Sequence, residues 1–258
     1  IMEEKSDVDI QLLAIPGLRH EAVTDFAIDA VERRFDALYI MDIEQRDESN
    51  NVMTSSATPA GEVVITDVAN TVSAFESRGL DTSFAAAYFP NVSMQDPQTK
   101  TTRWVSPSVA VLGAYALNDT KKYPWFAPAG FTRGVSTKSI ENQVKLNQTN
   151  LDALYNADIN PLHRFPNSDG VVLFGQKTLL QAQSSLDRIN VRRLLIDVRR
   201  KVRAIANTLL FEPNRADTLA AFSAAVNPVL QNIQQLQGLD RFRVQIDTST
   251  TTQADVEN

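Results

Sequence analysis

Two histidines stand among 258 residues, and there is no cysteine. A hydrolytic triad needs a histidine base beside an activated nucleophile. His20 sits where a helix is predicted to begin, a position that suits a polar cap. His163 lies in PLHRF beside prolines, where a packing or surface role suits it. No glycine-framed serine accompanies either, so the residues argue against a hydrolase. Phosphate chemistry fares no better. IPGLRHEA offers one glycine after the first predicted strand, where a dinucleotide site needs several, and no GxxxxGKS/T loop occurs. Asp42 and Glu44 close the second predicted strand, where α/β proteins place ligands and Mg²⁺, and Asp7 and Asp9 flank the first. These carboxylates carry an alternative reading, an α/β enzyme using Asp42 and Glu44 with a divalent metal on a small or phosphorylated ligand. Simple solvation is the plainer account of them.

Charge is distributed unevenly. The chain carries −6 overall, yet residues 187–203 hold seven basic and two acidic side chains, a local +5 that leaves the remainder at −11. The balance argues against a general nucleic-acid binder. A concentrated basic patch on an acidic protein suits an acidic partner, such as another copy of the chain. A solvated face whose arginines pair inside the subunit is the competing account. Trp104, Tyr123, Trp125 and Phe126 could stack on bases. Their neighbours are apolar and proline-rich, which favours core packing or a subunit contact.

The elements that must position these residues follow from hydrophobic periodicity. Strands are predicted over 8–15, 37–43 and 83–92, and helices over 20–35 and 66–78, the latter capped by Gly79. The near-continuous apolar run 37–43 is typical of a parallel strand covered on both faces. Strand, helix and strand within about 35 residues make a βαβ unit. Residues 45–61 read as a polar loop, and 94–103 as a loop or short edge hairpin. Ser106 and Pro107 open a helix to 117. Residues 122–134 read as a packed loop, 137–156 as a polar helix, 160–162 as extended chain and 171–175 as a buried strand.

An amphipathic helix over 190–211 follows, with Val191, Leu194, Leu195, Val198, Val202, Ile205 and Leu209 on one side and arginines beside them. Pro213 stops it. A last helix spans 216–235, and Phe242, Val244 and Ile246 alternate as a strand before a polar tail. The fold class expected is α/β, a mostly parallel sheet flanked by helices over 1–180, with a smaller α+β domain over 181–258. The longest apolar run, 109–117, is far short of the roughly 18 residues a membrane span needs. Glu3, Glu4, Lys5 and Asp7 leave no signal-peptide pattern at the start.

Four stretches together resemble the contractile-tail sheath proteins of bacteriophages and related injection machines. They are DIQLLAIPG with RRFDALYIMDI, SPSVAVLGAYALND with YPWFAPAG, INPLHRFPNSDGVVLFGQKTL, and NVRRL followed after the helix by FEPN. They cover most of the chain in the family's order. The resemblance implies a structural, non-enzymatic subunit without a cofactor. Its copies stack as hexameric rings in a helix around an inner tail tube and contract to drive that tube through the host envelope. Partners implied are further copies, the inner tube protein and the baseplate, with no nucleic acid and no membrane insertion. The place implied is the virion tail, assembled in the host cytoplasm. Family members add arm strands from neighbours to the C-terminal domain. Compared with them this chain reads as a trimmed core, lacking the N-terminal arm and the last strands, and it is expected to be monomeric. The family's α/β domain has been likened to subtilisin, but the histidines above argue against a protease. Arg192, Arg199 and Arg203 are the residues expected to face the tube or a neighbour, together with Phe242, Val244 and Ile246.

Overall fold

The computed structural model describes residues 8–53, 67–213 and 215–246. Strand β1 (Leu12–Ala14) leads through Gly17, at φ +80°, into helix α1 (Glu21–Arg34) and strand β2 (Leu38–Asp42). His20 caps α1, its Nδ1 accepting from the Ala22 N–H at 3.3 Å, which satisfies one of the donors a helix start leaves open. The helix stops at Phe35, which takes the left-handed conformation at φ 59° and packs edge-on against Phe84. Helix α2 (Ala69–Glu76) and strand β3 (Ala85–Phe89) complete a second crossover. All five residues of β2 and of β3 are buried, as strands sandwiched between helices must be.

Strands β4 (Val92–Gln95) and β5 (Thr102–Val105) form an antiparallel hairpin, so the hairpin option for 94–103 holds. Helix α3 (Pro107–Lys121) buries Ala110, Val111, Ala114 and Tyr115. One helical turn, α4 (Gly130–Arg133), interrupts the loop expected over 122–134. The polar helix expected over 137–156 is corrected. Strand β6 (Val135–Ser136) ends just before it, strand β7 (Ser139–Asn142) takes its first part, and α5 (Gln148–Asn156) begins only where the Asn147 side chain caps the Asn150 N–H. Tertiary pairing decided this segment. The Ser136 and Ser139 hydroxyls bond each other at 2.7 Å, and β7 joins β4 as the third strand of a small sheet.

Strand β8 (Ile159–His163) is an interior strand, with β9 (Val171–Leu173) beside it. The main sheet runs in the order β1-β2-β3-β8-β9-β6, parallel through β8 and antiparallel thereafter. Pro161 is tolerated inside it because it lies opposite Phe89, where β3 ends and few ladder bonds remain to be made. Asn160 next to it stitches the layer, donating to the Ala87 and Lys177 carbonyls while its Oδ1 accepts from the Lys177 N–H.

After a 3₁₀ turn (Ser185–Asp187), helices α6 (Ile189–Thr208) and α7 (Ala216–Gln235) follow. The chain divides into two compact units, Ile1–Arg193 and Leu194–Asn258, so the division falls within α6. In the second unit Leu194, Ile196, Val226, Leu230 and Ile233 are buried. Residues 242–246 keep the alternating exposure of a strand, with Phe242, Val244 and Ile246 half-buried. Among the described residues they join no ladder.

Candidate assembly surface and the anchored arginine helix

The first turn of α6 is tied into the α/β unit by its arginines. Arg188 donates to the Tyr155 hydroxyl at 3.0 Å, a bond that holds its guanidinium pKa above the usual value. Arg192 lies half-buried with its guanidinium 4.0 Å from the centre of the Phe84 ring and donates to the Ser83 hydroxyl; burial lowers its pKa. Arg193 is buried. It grips the Asp119 carboxylate with both terminal nitrogens, at 2.9 Å for Nη1 to Oδ1, and rests over the Tyr115 ring. Two-pronged pairing of this kind fixes direction as well as distance.

Beneath that pair the Tyr115 and Tyr88 hydroxyls bond each other at 2.7 Å. Burial pushes the Tyr115 phenol up to about 12, and burial raises Tyr88 as well. Both phenols therefore hold their protons more tightly in the folded chain than in the unfolded one. The stability this confers is complete below the unfolded phenol pKa of about 10 and falls as pH rises toward 12. We expect the melting temperature to drop across pH 10–12 more steeply in the wild-type chain than in Tyr88→Phe/Tyr115→Phe. Parallel curves would contradict this.

Of the three arginines expected on an outer surface, Arg192 is thus engaged within its own unit. Arg199 and Arg203 are exposed, two and three turns further along. The apolar stripe is only partly covered. Leu194 is buried, Leu195 is exposed, and Val198, Val202, Ile205 and Leu209 are half-buried. Asp197, a buried carboxylate, pairs with Lys201 one turn on.

The carboxylates proposed for metal chemistry are occupied otherwise. Asp42 is 1% exposed and accepts three hydrogen bonds: from the Gly17 N–H at 2.9 Å, the Ser108 N–H at 2.8 Å and the Ser108 hydroxyl at 2.8 Å. Ser108 is the second residue of α3. Asp42 therefore caps that helix from across the sheet, negative charge against the positive end of the dipole. Ser106, the expected cap, makes no side-chain capping bond. Glu44 pairs with Arg46 at 3.0 Å. Asp9 is exposed, and Asp7 lies outside the described residues, as do 54–61 of the polar loop and the tail from 247.

His163 packs edge-on against Phe165, and burial lowers its pKa. Tyr123 stacks on the buried Trp125 with ring centres 4.9 Å apart, Phe126 adjoins, and Trp104 lies half-buried in β5, so none of the four forms an open base-stacking platform. Asp119 is the residue that sequence reasoning missed. Its one signal is a carboxylate in the last turn of α3, where a helix dipole disfavours it unless a cation is near.

The α/β unit with its helical extension is the fold of contractile-injection sheath subunits. It aligns over 97% of its length with 64% of a chain in the contracted PVC sheath of an extracellular contractile injection system, at a TM-score of 0.72 and 23% identity. It aligns over 98% of its length with 63% of a chain in the anti-feeding prophage baseplate, at 0.71 and 20%. In sequence, residues 181–258 match the phage tail sheath C-terminal domain family. The tail sheath protein of Vibrio phage KVP40 is 39% identical over 145 residues, 56% of this chain and 22% of that one. The tail sheath protein of Enterobacteria phage T4 is 32% identical over 173 residues, 67% and 26%. The chain belongs to the contractile-tail sheath family. It spans about a quarter of the length of the curated relatives it matches.

Proposed function

We propose that the chain is the structural core of a contractile tail sheath subunit. Copies polymerise helically as stacked rings around an inner tail tube, and the lattice contracts to drive the tube through the host envelope for genome ejection. The observation that carries this is the identity to phage tail sheath proteins, 39% over 145 residues in one of them. The role is structural rather than catalytic, in the tail of the virion, with further copies, the tube protein and the baseplate as partners, and with assembly in the host cytoplasm. We assign the α/β sheath domain to 1–180 and the domain that neighbours complete to 181–258, although the compact units divide later, after Arg193, within α6.

The half-buried alternation of Phe242, Val244 and Ile246, which join no ladder among the described residues, supports strand addition by arms of adjacent subunits, a mode with little sequence demand. Amide exchange across 242–246 should therefore be fast in the isolated, monomeric chain and at least 100-fold slower in assembled sheath. Full protection in the monomer would contradict it.

Arg199 and Arg203 serve as the contact to tube or neighbour. Exposed ion pairs contribute only about 0–1 kcal/mol each, yet repeated around a lattice they hold cooperatively. Reversing Arg199 and Arg203 to glutamate in the whole sheath protein should abolish polymerisation on tubes seen by negative-stain microscopy. Undiminished coating would refute this role.

A further inference from the structure

Two exposed surfaces of the α/β unit are complementary to each other. The first is aromatic. Phe165 touches both Phe131 and Phe174 with ring centres 5.0 Å apart, and His163 closes on it at 4.6 Å. Phe131 is 57% exposed, Phe174 and Ile140 42% each, and Arg164 reaches across to the Ile140 carbonyl, tying the rim together. On the segments that carry this patch Arg133, Lys138 and Arg164 outnumber Glu141 and Asp169. A contiguous ring cluster left open to solvent with a basic rim is the kind of surface that marks a protein contact.

The second surface is the outer face of α1. Phe26 projects from it, 59% exposed, between Asp25 and Asp29. With Glu21 and Glu32 the helix carries four carboxylates; Asp25 pairs with Arg78, Arg33 lies at the surface and Arg34 is buried on Asp36, so the outer face stays acidic. An aromatic knob in an acidic collar thus faces outward from one place, and an aromatic seat with a basic rim from another.

Their places in the sheet matter. Helix α1 joins β1 to β2, the first two strands in sheet order. The aromatic seat is built on the ends of β8 and β9 and on α4 before β6, the last three. Where one copy uses one of these surfaces and its neighbour the other, each keeps its remaining surface free for a further copy. A contact between them is head-to-tail, and such contacts propagate into rings or helices.

We propose that the α1 face of one copy seats Phe26 against the Phe131–Phe165–Phe174 cluster of the next, forming a repeating head-to-tail contact of the lattice. This rests on the sheath reading above. The patch is small, so a single contact is weak, with a Kd on the order of millimolar, and gains strength only by repetition.

The test uses the isotope-labelled 258-residue chain in NMR dilution from about 2 mM to about 0.05 mM, the range that brackets such a contact. Amides of α1 around Phe26 and around Phe131, Phe165 and Phe174 should both shift. Phe26→Ser and Phe131→Ser, at exposed positions, should each leave the melting temperature unchanged and weaken self-association about tenfold. Mixing the two variants should restore a 1:1 pair that grows no further, since each keeps the half the other has lost. Shifts at neither surface, shifts at one alone, or a mixture without rescue would each overturn the proposal. A chain that pairs in this way while the whole protein never coats tubes would instead defeat the sheath reading and leave the contact standing.

Discussion

Asp42→Ala is expected to destabilise the chain by about 3–5 kcal/mol, because it removes a buried carboxylate that serves three donors at once. The Ser108 amide would be left buried without an acceptor, the part-buried Gly17 amide would lose its partner, and α3 would lose the charge at its positive end. Ser108→Ala removes one donor and keeps the rest, so it should cost only about 1 kcal/mol. Urea unfolding of the three proteins, with slopes compared to confirm a common unfolded state, makes the measurement. A loss below about 1 kcal/mol for Asp42→Ala would show that the carboxylate is not what holds α3 against β2. A metal-binding carboxylate would behave differently again, its loss mattering only when the ion is present.

Asp119→Ala should cost about 3 kcal/mol, chiefly by leaving the Arg193 guanidinium buried beside Tyr115 without its counter-charge. Adding Arg193→Met to that variant is expected to recover part of the loss, since an apolar side chain of similar length asks for no partner. A double-mutant cycle separates the pair from its surroundings. If the double variant were less stable than Asp119→Ala alone, the stacking of Arg193 on the tyrosine, rather than its ion pair, would be the greater contribution.

Local signals located most of the elements. The run LYIMD is typical of a strand covered on both sides, and the bounds 216–235 coincide with α7. His20 capped its helix as its place suggested. What escaped was set by partners far away in sequence. Asp42 meets Ser108 across 66 residues and Arg193 meets Asp119 across 74, and no spacing rule reaches that far. The segment 137–147 carries no decisive period, so its fate was decided by β4, which pairs with β7, rather than by itself. Arg192 looked free for the same reason, since Phe84 and Ser83, which receive it, come more than a hundred residues earlier.

The early arginines of α6 also bear on how the lattice proposed above should respond to its medium. Seven cations over 187–203 suggest a steep dependence on ionic strength. Arg192 and Arg193 already lie against Phe84 and Asp119 inside the fold, and mobile counterions do not compete well for charges so placed. Any response of the proposed lattice to added electrolyte should therefore act chiefly through the cations nearer the surface, Arg199 and Arg203 among them, and its slope should be shallower than the composition suggests.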